Sequence, residues 1–156
     1  MESNQHLDRF ISSIQTERER QIWCASFFDA EGSINVTTGH QLKVGFGIKV
    51  VEPISVLQAF FGNGSYTIDK NGYHRFFYYS NSAKDFLNYV GEFLLEKRDP
   101  AKLIIDYYPS VLNKKPRTPK QIETVKILRE AVIWHNSQKQ SSTEAWGTFR
   151  EKISLL

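Results

Sequence analysis

Sulfur is nearly absent from this chain of 156 residues, which has one cysteine, Cys24, and one methionine, Met1. A lone cysteine cannot close an intramolecular disulfide, so a reducing, intracellular setting is expected, either the cytoplasm of a prokaryote or an organelle. Long apolar runs are missing too. None reaches the ~18 residues that a membrane-spanning helix needs. Residues 1–15 carry acids and no apolar segment, so they do not predict a secretory signal. There is no internal repeat, no low-complexity tract and no strong charge of either sign. The net charge of +3 leans basic and gives only slight support to a polyanionic partner. Hydrophobic content of 40% and charged content of 24% are those of an ordinary globular protein. The length predicts one domain over residues 1–156, with residues 1–15 as an N-terminal, helical extension.

Aromatic residues are what the chain has in excess, at 13%. Phe60, Phe61, Phe76, Phe77, Tyr78 and Tyr79 cluster mid-chain between Gly and Asn residues. Such a cluster is expected of a β-rich core. Around it the periodicity changes several times. Leu7, Phe10, Ile11 and Ile14 recur at helical spacing. A second helix is predicted from Thr16 to Ala30, with Thr16 and Glu19 in capping-box spacing and Gly32 as its stop. Ser33 to Thr38 and Leu42 to Val51 then alternate with period two about a turn at Gly39-His40. In the second strand Leu42, Val44, Phe46, Ile48 and Val50 oppose Gln41, Lys43, Gly45, Gly47 and Lys49, so one face is apolar and the other polar, small or basic.

Pro53 opens a short helix to Phe61. Strands Ser65 to Lys70 and Tyr73 to Ser80 follow, joined at Asn71-Gly72, a dipeptide that favours a two-residue hairpin turn. Further helices are predicted from Ser82 to Leu95, from Asp99-Pro100 to Tyr107, and from Thr118-Pro119 to Asn136. Ser142 or Thr143 caps the last. The basic, proline-broken stretch Asn113 to Lys120 is a connection rather than a domain boundary. The order predicts an α+β fold in which a four-stranded antiparallel sheet carries its helices on one face and leaves the other open.

The informative stretch is Cys24-Ala25-Ser26-Phe27-Phe28-Asp29-Ala30-Glu31-Gly32. Its length, small residues, two acids two positions apart and closing glycine resemble the signature of LAGLIDADG homing endonucleases. The context agrees with their α-ββ-α-ββ-α fold and saddle-like sheet, with the motif directly before the first strand. The likeness extends over roughly residues 20 to 150. Phe93-Leu94-Leu95-Glu96-Lys97 resembles the stretch where the single-motif, homodimeric branch keeps a lysine. Asn136 to Glu144 resembles a loop of that branch that touches the DNA backbone.

The resemblance implies a magnesium- or manganese-dependent enzyme that makes a double-strand break in a long, pseudo-palindromic intron-insertion site. Calcium should bind without supporting cleavage. Glu31 takes the place of the final, metal-binding acid, one methylene longer than the usual Asp, and the carbonyl of Ala30 is a second metal ligand. Lys97 takes the place of the catalytic lysine. Asp29 matches the first acid, for which a local structural role is favoured over metal binding. The physics is coherent, because Ser26 and Ala30 lie four apart on one helical face and let two helices approach closely as a dimer interface. Glu31 at a helix C-terminus is disfavoured by the macrodipole by ~0.3–1 kcal/mol, which a divalent cation offsets. The bland alternatives are two solvated acids at a helix end and a surface lysine. One departure stands out: where the family has a water-orienting glutamine, this chain has Val50, with Lys49 as a possible substitute.

Double-stranded DNA should lie on the open face, where a two-stranded ribbon fits the major groove. Ser33, Asn35, Thr37, Gln41, Lys43 and Lys49 have the right parity on the first two strands. Thr67, Asp69, Phe76 and Tyr78 follow by resemblance on the second pair. Arg75 has the opposite parity from Phe76 but better chemistry, which leaves the register of that strand open. Gln138 and Lys139 are expected to hold phosphates. Competing readings are an RNA-binding intron maturase of the same fold, a DNA-binding regulator that has lost cleavage, and an unrelated α/β binding module.

Overall fold

The computed structural model describes residues 4–112, 115–138 and 143–156. Two helices, α1 (Gln5–Ser13) and α2 (Glu17–Glu31), precede a hairpin of β1 (Gly32–Val36) and β2 (Leu42–Ile48). Helix α3 (Glu52–Phe60) leads to a second hairpin, β3 (Ser65–Ile68) and β4 (His74–Tyr79). Then come α4 (Ser80–Val90), a 3-10 turn at Gly91–Phe93, α5 (Arg98–Tyr107), α6 (Pro119–Ser137) and α7 (Thr143–Ser154). The four strands form one antiparallel sheet in the order β1-β2-β4-β3.

Local chemistry explains most of the boundaries. Thr16 caps α2 by accepting from the Glu19 N–H, at 3.1 Å. Thr118 and Gln121 form a complete capping box on α6, with Pro119 in its first turn. The other expected cap, Ser82, is inside α4, which starts at Ser80 without a side-chain cap. Ser142 lies outside the described residues. Gly32 ends α2 for a different reason from a left-handed stop. Its φ of −95° is extended, but a Cβ there would overlap the Phe28 ring.

Packing follows the apolar alternation of the strands. Ile34, Val36, Leu42, Val44 and Phe46 are buried beneath Cys24, Ala25 and Phe28 of α2, Ile54 and Leu57 of α3, and Phe86 and Leu87 of α4. An aromatic centre ties the layers together. Phe86 meets Phe28 edge-on at 5.4 Å, Phe46 at 5.8 Å and Phe61 at 5.2 Å, and it stacks on Tyr78 at 5.2 Å. The clustered aromatics are thus partly core, since Phe60, Phe76 and Tyr78 are buried, whereas Phe77 and Tyr79 lie on the other face. No described helix is long and apolar enough to cross a membrane.

The second hairpin corrects the expected register. Its loop has three residues, Lys70, Asn71 and Gly72, not two. The Asp69 N–H donates to the Tyr73 carbonyl at 2.9 Å, and the Gly72 N–H to the Asp69 carbonyl at 3.0 Å. Gly72 takes a left-handed φ of 82°, which closes a three-residue turn. A two-residue loop would set Thr67 against Phe76, but the observed partner is Arg75. A one-residue slip turns every side chain over. Phe76 and Tyr78, expected on the open face, therefore point into the core at 0% and 1% exposure.

Gly72→Ala should destabilise the protein by about 1–2 kcal/mol, because nothing lies within 4 Å of its added methyl and the left-handed backbone alone opposes it. Gly39→Ala, in the other hairpin, should change little. Urea denaturation of the two variants makes the comparison.

Candidate nucleic-acid interface and metal site

Helix α2 delivers Glu31 to the edge of the sheet as its last residue, exposed to solvent. Asp29 turns inward instead and fastens a loop. Its Oδ2 accepts from the Leu95 N–H at 2.7 Å, and its Oδ1 from the Lys97 N–H at 3.0 Å. The loop so held places Lys97 with only 9% exposure. Its Nζ donates to the Asp29 backbone carbonyl at 2.8 Å and lies 5.6 Å from the centre of the Phe28 ring. Glu96 gives it a carboxylate at 3.5 Å. Lys97 is thus no solvated surface lysine. Its ammonium fills an acceptor at the negative end of α2, two residues before Glu31.

His135, in the last turn of α6, packs on Trp146 at the same end of the molecule. Burial holds its pKa below the usual histidine range, and nearby Lys97 lowers it further, against the opposite pull of Glu96 and Asp99. Asn136 ties the end of α6 to β1 by donating to the Ile34 carbonyl at 3.2 Å. The periodicity of α6 had suggested neither contact, since both depend on where the helix ends.

The sheet face away from the helices collects the polar residues. Ser33, Gly45, Phe77 and Ser65 form one row across the four strands. Asn35, Lys43 and Tyr79 form the next on one side, and Gly47, Arg75 and Thr67 the next on the other. Thr37 and Gln41 extend the face past the first hairpin, where the Gln41 N–H donates to Thr37 Oγ1 at 3.1 Å. Lys43 lies over the Phe77 ring at 4.1 Å, and Lys49 over the Tyr73 ring at 5.7 Å. Val50, two residues past the end of β2, is 55% exposed. Gln138 is exposed at the C-cap of α6, while Lys139 lies outside the described residues.

The face also includes Phe77, Tyr79 and Tyr73, which sequence reasoning missed because it had the second hairpin one residue out of register. Two glycines make room for them and for Arg75. A Cβ on Gly45 would meet the Phe77 ring at 2.8 Å, and one on Gly47 would come within 3.2 Å of the Arg75 Cζ. The Gly-x-Gly alternation in β2 was the available signal.

Among the described residues no group of three or more His, Cys, Asp or Glu side chains could hold a metal by itself. The end of α2 offers one carboxylate, Glu31, beside the carbonyl-rich end of a helix. That set fits a hard cation that takes few carboxylates and completes its shell with waters and phosphates. On the exposed side of α2, Ile22 (42% exposed), Ser26 and Ala30 form one stripe, large at Ile22 and small at the other two, and Leu95 stands 89% exposed.

Two solved structures with this fold are DNA complexes. The homing endonuclease I-CvuI with its target, in the presence of 2 mM Ca, aligns with a TM-score of 0.64 and 20% identity, covering 88% of this chain and 96% of that chain. The same endonuclease with the I-CreI target, in 2 mM Mg and with its DNA not cleaved, gives 0.63 and 19% over the same shares. No family model matches the sequence, and no curated protein does. The chain has the fold of this homing endonuclease over nearly its whole length.

Asp29→Ala should remove two charge-assisted hydrogen bonds and free the loop that carries Lys97, at about 2–3 kcal/mol. Hydrogen exchange should show the Leu95 and Lys97 amides losing protection while those of β2 keep theirs.

Proposed function

We propose that the chain is a LAGLIDADG homing endonuclease of the single-motif branch, a homodimer that cuts both strands of a long, pseudo-palindromic intron-insertion site. The observation that carries this reading is Lys97, buried and donating to the end of the motif helix two residues before the exposed Glu31. A polar, basic sheet face opens from that end, and the fold is shared with an endonuclease solved on its target DNA.

In this reading Glu31 and the Ala30 carbonyl would hold magnesium or manganese beside the scissile phosphate. A cation bound there would supply an activated water and stabilise the leaving oxygen. Lys97 stabilises charge that develops on the phosphate. Its contact with the Asp29 carbonyl keeps the ammonium oriented before DNA arrives. Asp29 acts only through that loop. Ser33, Asn35, Thr37, Gln41, Lys43, Lys49, Thr67 and Arg75 face the major groove, and Gln138 and Lys139 hold backbone phosphates. A second reading, a DNA-binding regulator without cleavage, is favoured by the exposed Val50, whose side chain cannot hydrogen-bond a water.

One site per chain needs two chains for a double-strand break, and the stripe Ile22, Ser26 and Ala30 is a surface on which two α2 helices can meet. Sedimentation should give a dimer, and Ser26→Trp should dissociate it. A monomer both free and on DNA would sink this part of the reading.

Glu31→Gln separates the enzyme from the regulator. The substrate is a plasmid carrying the uninterrupted sequence into which the reading frame is inserted. With Mg²⁺ the wild type should linearise it, and the variant should be slower by about 10²-fold or more, since one kcal/mol is about fivefold in rate and several are lost. Binding should persist or tighten, because a negative charge near phosphate has gone. A wild type that binds but never cuts would establish the regulator.

A further inference from the structure

Arg75 lies in the floor of the open face, paired with Gly47 on one side and Thr67 on the other. It is held in an unusual degree of detail for an exposed side chain. Its Nε donates to Asp69 Oδ2 at 3.1 Å, and its Nη2 lies 3.1 Å from the same oxygen. The guanidinium also lies over the Tyr73 ring at 5.6 Å, and Lys49 approaches that ring as well. Gly47 is the seat: with any side chain there, the guanidinium could not cross the strand where it does.

Asp69 is turned to its own hairpin and to Arg75 rather than outward. Its Oδ1 accepts from the Asn71 N–H at 2.8 Å and the Tyr73 N–H at 3.1 Å, and its Oδ2 takes Arg75. A carboxylate has about four lone-pair sites, and three of them accept hydrogen bonds here, with the Arg75 Nη2 ion pair against Oδ2 as well. Although desolvation pushes its pKa up, these hydrogen bonds and the Arg75 charge outweigh that and hold it below the usual carboxylate range. It stays ionised at neutral pH. Its three-residue loop makes the two backbone contacts possible, so the carboxylate is anchored to the hairpin itself.

Arg75 therefore presents one edge of its fork, Nε and Nη2, to Asp69. The other edge, Nη1 with the second hydrogen of Nη2, makes no protein hydrogen bond among the described residues, and the side chain is 46% exposed. Two parallel N–H donors on a fixed plane match the two acceptors, O6 and N7, that guanine alone presents side by side in the major groove. Fixing the plane beforehand removes the rotamer entropy that a free arginine loses on binding.

We propose that Arg75 is the guanine-reading residue of the sheet and that Asp69 is its positioning residue, not a DNA contact. The inference rests on the proposed binding of DNA to this face. It assigns a base, guanine, at one symmetric pair of positions in the recognised site.

The test is selection of bound duplexes from a randomised double-stranded DNA pool, in Ca²⁺, by the wild type and by Arg75→Ala, Asp69→Asn and Gly47→Ala. The wild type should enrich guanine at the Arg75 position. Arg75→Ala should lose roughly 5- to 150-fold of discrimination there, the range for one bidentate contact, and keep the preferences elsewhere. Asp69→Asn and Gly47→Ala should weaken that same position while thermal melting shows each variant folded. Replacing the guanine by 7-deazaguanine, which lacks N7, should weaken wild-type binding but not binding by Arg75→Ala. If Arg75→Ala lowers affinity for all duplexes equally, Arg75 holds a phosphate and the inference is overturned. It is also overturned, for Asp69, if folded Asp69→Asn keeps full guanine preference. A wild type that enriches no sequence at all would instead overturn the site-specific reading on which the inference rests.

Discussion

Two backbone N–H groups bound by one carboxylate hold the candidate centre together. Asp29, in the last turn of α2, accepts from Leu95 and Lys97, residues 66 and 68 positions further along the chain. That contact joins the burial of Leu94 in holding the stretch after the 3-10 turn against the motif helix. With it, Lys97 is brought under the helix end, where a cation is favoured by the macrodipole and by an orphan carbonyl. One acid of the motif thereby does structural work so that its neighbour, Glu31, can remain exposed. The two carboxylates look equivalent in a sequence motif, yet helical geometry sends one inward and leaves the other at the edge of the sheet.

The elements were largely legible because the chain changes period where the structure changes element. Leu42 to Ile48 alternates, Phe86 to Val90 repeats at helical spacing, and Thr118-Pro119 carries its own cap. What could not be read was a single residue of loop length. Asn71-Gly72 favours a two-residue turn, but Asp69 accepts from both Asn71 and Tyr73 and stabilises the longer one. A side chain thus overruled a dipeptide preference and decided the open register in favour of Arg75, with Phe76 and Tyr78 turned to the core. The burial of Phe76 and Tyr78 against Phe86 makes the observed register the one that fills the core.

The candidate site was legible in unequal parts. Glu31 and Asp29 stand in a recognisable motif, and Lys97 in a recognisable position, but only contacts distant in sequence join them. The sheet face was legible on β1 and β2, where Ser33, Asn35, Lys43 and Gly45 keep strict alternation. The seats at Gly45 and Gly47 were not. A glycine in a strand usually weakens it, and its purpose shows only when the side chain crossing over it is known. Here those side chains are Phe77 and Arg75, from a strand 30 residues further along the chain.

Charge at the end of α2 sets the last constraint. Glu31 sits where the helix dipole already opposes a negative group, and pairing two such ends in a dimer increases that opposition. Lys97 does not relieve it fully, since its ammonium is committed to the Asp29 carbonyl and to Glu96. Salt screens exposed charges beyond about 10 Å at 0.1 M but acts little on a buried lysine. The arrangement therefore keeps an unmet demand for positive charge next to Glu31 while denying Lys97 the freedom to swing over and satisfy it. A carboxylate paired with its own lysine would be a poor ligand for a cation, and Lys97 donates instead to the Asp29 carbonyl and to Glu96.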